Sequence, residues 1–188
     1  HRDLGDHPSS WRATKAFPAL RSKIPQVGTH YFRLTQTPMK NVFDPAVTAE
    51  LIHRIENLSP QSPALWGKMS VNQMLAHCCV AYEMAFTNKH PKANPVMRFL
   101  LKNFVKKGVV NEVPYKKNLP TAPAFRIKNE KNFGEEKARL ISFVEQTLAA
   151  GEAGFEGKES PSFGPMTAKE WNNLLYKHLD HHLGQFGV

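Results

Sequence analysis

Apolar side chains recur at helical spacing in four separate stretches of this chain, and each stretch follows residues suited to start a helix. The first comprises Val47, Leu51, Ile52, Ile55 and Leu58 and stops at Pro60. Asp44-Pro45 stands ahead of it: a carboxylate can accept an unpaired backbone N–H, and proline at the first helical position gives up an N–H that has no partner there. The second stretch, Met74 to Phe86, is apolar almost all round, which predicts a helix enclosed on every side. Ser70 and Gln73 before it have the spacing of a reciprocal capping box. The third, with Ala138, Leu140, Ile141, Val144 and Leu148, begins after Asn132 and is predicted to end at Gly151. The last opens on a capping box at Thr167 and Glu170 and runs to about Leu183 or Phe186. Between the second and third, residues 88–132 predict one short helix over about Val96 to Lys107. Pro114, Pro120 and Pro123 then predict an irregular connection. Connections this long often cover or shape a site. No segment alternates as a strand must, so the reading is all-α: a four-helix bundle with a long crossover between helices two and three.

Residues 1–38 lack both periods and carry Pro8, Pro18, Pro25 and Pro38 among scattered basic side chains. They are expected to be an unstructured N-terminal extension without a secretory h-region, and the domain is expected to span 39–188, from the first methionine, Met39. At 188 residues, 41% hydrophobic and 22% charged, the chain can bury a sizeable core. Its longest apolar runs, such as Val96 to Leu101, are too short and interrupted to span a bilayer, and no membrane partner is expected. The two cysteines, Cys78 and Cys79, are adjacent, which excludes a disulfide scaffold and points to a reducing, cytoplasmic compartment. Of the net charge of +9, residues 1–38 contribute +4 from six basic and two acidic side chains. No nucleic-acid recognition motif accompanies that charge, so nucleic acid is not an expected partner. The basic positions Lys102, Lys106, Lys107, Lys116 and Lys117 read as a solvated face that can also meet an anionic substrate. Phosphate-loop, dinucleotide-binding and serine-elbow patterns are missing.

Three of the nine histidines fall within His178-Leu179-Asp180-His181-His182. Residues four apart on a helix lie one turn above each other, so His178 and His182 can hold one ion between them. His181 lies about a hundred degrees around the helix from His182 and points elsewhere. His77, within the most apolar helix, is the candidate third ligand, since an imidazole there needs a hydrogen-bond partner or a metal. Three neutral imidazoles suit zinc, nickel, iron or manganese and leave a further coordination position open. Equally, a lone helical histidine is commonly a hydrogen-bonded core residue, and a pair four apart is commonly polar surface. Glu83, Glu170 and Asp180 are candidate acceptors for the outer ring nitrogens. Trp171, Leu174 and Leu175 read as core, and the cysteines as small buried hydrophobes.

Leu65-Trp66, Met74-Leu75-Ala76-His77 and His178-x-x-His181-His182-x-Gly184-Gln185 together resemble the DinB-like superfamily over most of residues 41–188. The stretch from Trp171 to His182 is closest to a domain-of-unknown-function branch of it. Where many members have arginine after the histidine pair, this chain has Leu183. The resemblance implies a metal on His77, His178 and His182. It also implies a possible role as a metal-dependent transferase or hydrolase that joins a low-molecular-weight thiol, of bacillithiol or mycothiol type, to a small electrophile. The alternative is a non-catalytic, stress-associated binding or structural module. A homodimer through apolar helix faces suits either.

Overall fold

The structure is a computed structural model and describes residues 39–188; the expectation for residues 1–38 lies outside the described residues. Four long helices form where the periodicity predicts them: α1 (Pro45–Glu56), α2 (Val71–Phe86), α5 (Phe133–Phe155) and α6 (Ala168–Gln185). Their starts are chemical. The Asp44 side chain accepts from Ala46 N–H, Asn132 accepts from Glu135 N–H, and both Ser70/Gln73 and Thr167/Glu170 close complete capping boxes. The crossover contains α3 (Pro95–Leu100), a π-helical segment (Leu101–Val105), α4 (Lys106–Val110) and a 3-10 turn (Pro123–Phe125). The described residues are therefore all-α apart from one two-residue antiparallel pairing, β1 (Glu159–Ser160) with β2 (Gly164–Pro165).

Both α1 and α2 pack against α5 and α6. Twelve of the sixteen residues of α2 are buried, as its all-round apolar sequence requires. Leu51, Ile55, Met74, Leu75, Leu140 and Leu175 form the centre, each almost wholly withdrawn from water. Burying a side chain of this kind contributes about 1.5–3 kcal/mol.

Two boundaries differ from the sequence reading. The crossover helix continues to Val110 instead of ending near Lys107. Gly151, expected to end α5, instead kinks it: with φ 59° and ψ −177° it interrupts the helix, which then resumes to Phe155. The physical reason is Phe155, fully buried among Phe43, Phe86 and Trp171, which draws the chain back onto the core.

Helix α6 is tied to its surroundings by buried polar side chains. Trp171 Nε1–H donates to Lys158 O at 3.0 Å, Val42 N–H donates to Asn172 Oδ1 at 2.7 Å, and Asn173 Nδ2 donates to Val110 O at 2.8 Å. Lys177 Nζ donates to Gly108 O and to Asn111 O at 3.0 and 2.8 Å, fixing the end of α4. Each bond satisfies a backbone group that would otherwise be stranded at a helix end or loop. Together they hold the helix that carries two of the three candidate ligands.

Candidate metal centre

His77 in the middle of α2 meets His178 and His182 on α6, with one nitrogen of each ring within 4.8 Å of the others. His77 and His182 are buried and His178 is partly buried. His181 is not one of the three, though its ring lies edge-on to His182 at 5.0 Å as well as to Trp66 and Tyr115.

The proton positions follow from the neighbours. His77 Nδ1 lies 2.8 Å from the Phe125 carbonyl, which can only accept, so Nδ1 carries the proton and Nε2 is bare. Gln185 Nε2 donates to the Trp66 carbonyl at 2.6 Å, which turns its Oε1 towards His182. His182 Nδ1–H therefore donates to that oxygen at 2.8 Å, and its Nε2 is bare as well. His178 Nε2 lies 3.0 Å from the bare Nε2 of His77 and so donates to it, while His178 Nδ1 is buried with no hydrogen-bond partner. That ring nitrogen is one of three buried side-chain polar atoms without a partner among the described residues, beside Asn72 Oδ1 and Arg139 Nε, and the one that belongs to the trio.

All three rings are held uncharged. Burial is the largest cause in each case: it lowers His77 and His182, the latter to about 3, and takes His178 well below the ordinary histidine value. Neighbouring rings push in the same direction, since two imidazolium ions cannot share this volume. Two bare Nε2 atoms facing a third uncharged ring, whose proton can move to its unpartnered Nδ1 and free its Nε2, fit a divalent cation by donor chemistry.

None of the three acidic residues considered as partners reaches the histidines. Glu83 is buried against Lys89, His90 and Arg139 at 2.6–2.7 Å. Glu170 caps its own helix and pairs with Lys106, and Asp180 pairs with Arg54 at 2.7 Å. The supporting acceptors are the Phe125 carbonyl and the Gln185 amide. The first is a backbone atom and leaves no trace in residue type; the second belongs to the Gly184-Gln185 pair at the end of the histidine stretch. Gly67 protects this arrangement. Its φ is +83°, and a Cβ there would stand 2.5 Å from Gln185 Nε2.

The thiols are remote in chemistry as well as direction. Cys78 and Cys79 are free and fully buried; burial pushes Cys79 up to about 12 and Cys78 well above its usual value. Trp171 and Leu175 are core residues, and Leu174 is partly buried at the wall of a cavity. Leu183, which follows the histidine pair, is fully buried in the core.

The three histidines form part of the wall of that cavity, about 1280 Å³ in volume. The crossover supplies most of the opposite wall, including Leu101, Phe104, Val109 and Phe125. The Phe125 ring also packs on His77 and His178. The long connection thus shapes the site.

No helix among the described residues is long and apolar enough to cross a membrane. No curated protein and no solved structure matches this chain. Residues 40–187 match the family described as protein of unknown function (DUF1569), and the chain belongs to that family.

Proposed function

We propose that this is a DinB-like four-helix-bundle protein that holds one divalent ion, zinc, nickel, iron or manganese, on His77, His178 and His182. It uses that ion to join a low-molecular-weight thiol of bacillithiol type to a small electrophile, or to hydrolyse such a molecule. The observation that carries this reading is the convergence of three uncharged imidazoles on one cavity wall. Bound there, a divalent ion supplies Lewis acidity that stabilises the deprotonated form of a thiol or water. The chain's own contribution is positional. The Phe125 carbonyl and Gln185 fix two rings with their Nε2 atoms bare, and the Phe125 ring packs on His77 and His178. The apolar crossover wall gives a small electrophile a place to lie against. Free thiols at Cys78 and Cys79 accord with the reducing, cytoplasmic setting that a thiol co-substrate requires.

Metal content by mass spectrometry on the purified chain, beside a His178→Ala/His182→Ala double variant, tests this directly. Near-stoichiometric metal that disappears in the variant is the expected result, and thiol-transfer assays with the identified ion then follow. A parent chain that takes up no zinc, nickel, iron or manganese would sink the proposal and leave the non-catalytic binding module as the better reading.

A further inference from the structure

Nine large apolar side chains are exposed among the described residues, and eight of them lie between Val96 and Leu119. Phe99 is 64% exposed and Phe104 76%, values typical of residues that lack an intramolecular partner. Exposed large apolar side chains concentrated in one segment mark an interaction surface.

Charge identifies the partner. From Met84 to Asn129 the chain carries ten lysines and arginines and a single acid, Glu112. The remainder of residues 39–188 carries nine basic and thirteen acidic side chains, so the domain's positive charge is gathered on the crossover. Lys102, Lys107 and Lys116 are exposed and have no carboxylate partner among the described residues. Apolar side chains interleaved with free cations suit an anionic lipid surface, where rings enter the headgroup–acyl boundary and lysines meet phosphate. A nucleic acid would satisfy the lysines and a base can stack on Phe99, but it would gain little from the aliphatic Val96, Leu100 and Val105, which a lipid interface buries. A second copy docking through the same patch would set these cations against their own equivalents. Residues 1–38 carry the same sign of charge.

The cavity opens in the same place. Met97, Phe104, Val105 and Leu119 are both exposed and part of the cavity wall, so its mouth lies within the apolar patch. We propose that residues 95–119 dock on anionic lipid bilayers and present the mouth of the histidine cavity to the lipid interface. Lack of a spanning helix bears on crossing a bilayer, whereas this surface lies on one. It does not depend on whether the histidines hold an ion.

The test is flotation of the full chain with phosphatidylcholine vesicles, pure or containing about one third phosphatidylglycerol, at low and high salt. Binding is expected to the anionic vesicles only and to weaken as salt is raised. Lys102→Ala and Lys107→Ala should each weaken it roughly fivefold, and Phe99→Asp/Phe104→Asp at least about tenfold. Both sets change exposed side chains, so far-ultraviolet circular dichroism and melting temperature should stay at parent values. No binding to anionic vesicles overturns the proposal. So does parent-level binding by the Phe99→Asp/Phe104→Asp variant, which would mark a purely electrostatic polyanion surface. Sedimentation showing a dimer that this variant dissolves, with no vesicle binding by the parent, would assign the patch to a second copy instead.

Discussion

Replacing Gln185 by leucine removes one amide and strands two buried partners. His182 Nδ1–H loses the Oε1 it meets at 2.8 Å, and the Trp66 carbonyl loses the Nε2 donor at 2.6 Å. Gln185 and His182 are 3% and 8% exposed, so little water replaces either bond. A stranded buried polar group costs about 1–3 kcal/mol. Two such groups, offset by roughly 1 kcal/mol from the added apolar surface, leave a net loss of about 1–5 kcal/mol. Urea denaturation in the presence of chelator reads this term with no metal contribution. The second effect is on the ring: His182 is no longer held with Nε2 bare, and metal affinity should fall about 10- to 100-fold in a competition titration with a chromophoric chelator. Gln185→Glu separates the two effects. It keeps an oxygen for His182 but sets another against the Trp66 carbonyl, so metal-free stability should fall while affinity stays close to parent. If Gln185→Leu left stability within about 0.5 kcal/mol and affinity unchanged, the assigned tautomer and the supporting role of Gln185 would both be wrong.

Gly67→Ala should reproduce much of the Gln185→Leu loss without removing a polar group. It forces a Cβ to 2.5 Å from Gln185 Nε2 at a φ of +83°, with an expected cost above about 1 kcal/mol in thermal or urea unfolding. Glu83 should shape the acid limb of stability. Burial alone would raise its carboxyl, but Lys89, His90 and Arg139 outweigh that and hold it below the usual 4.5. A carboxyl depressed on folding contributes stability above its unfolded value and loses it as pH falls through the folded one. Urea midpoints should therefore decline as the parent is acidified below about pH 4.5, and Glu83→Gln should flatten that decline and cost about 2 kcal/mol at neutral pH. Cys78 and Cys79, fully buried with raised pKa values, should react with a colorimetric disulfide reagent only after denaturation; rapid labelling of the native protein would contradict their placement.

The long helices were legible because their signals are local. A cap, a period and a stop sit within one stretch of chain, as at Ser70 to Phe86. The histidine trio was half legible in the same way: spacing alone puts His178 and His182 on one face, whereas His77 came from its apolar setting and the superfamily resemblance. What escaped is non-local. The acceptor for His77 is a carbonyl forty-eight residues away in a proline-rich connection, and a backbone atom has no residue signature. Helical proximity suggested Glu83, Glu170 and Asp180, yet each is claimed by a nearer cation on another element. Gly151 reads as a terminator in isolation, and only the burial of Phe155 shows why the helix resumes. Asn172, Asn173 and Lys177 look like surface residues in sequence; their buried role depends on the loops they satisfy.

That stitching of α6 bears on the proposed chemistry. Asn172, Asn173 and Lys177 fix the helix to the start of α1 and the end of α4, so His178 and His182 are held by rigid neighbours and need no acidic residue to orient them. A centre built of neutral rings alone differs from one with carboxylate ligands, because each carboxylate cancels one unit of a divalent cation's charge. Three imidazoles would leave the charge of such an ion whole in a largely apolar cavity. With an ion held there, the remaining coordination position would favour an anion such as thiolate or hydroxide over a neutral ligand. Lys68 and Lys116 line the same cavity and favour the same sign of charge. On the proposed function, the residues that orient the histidines and the lack of a carboxylate among them would favour one kind of co-substrate, a group that binds as its conjugate base.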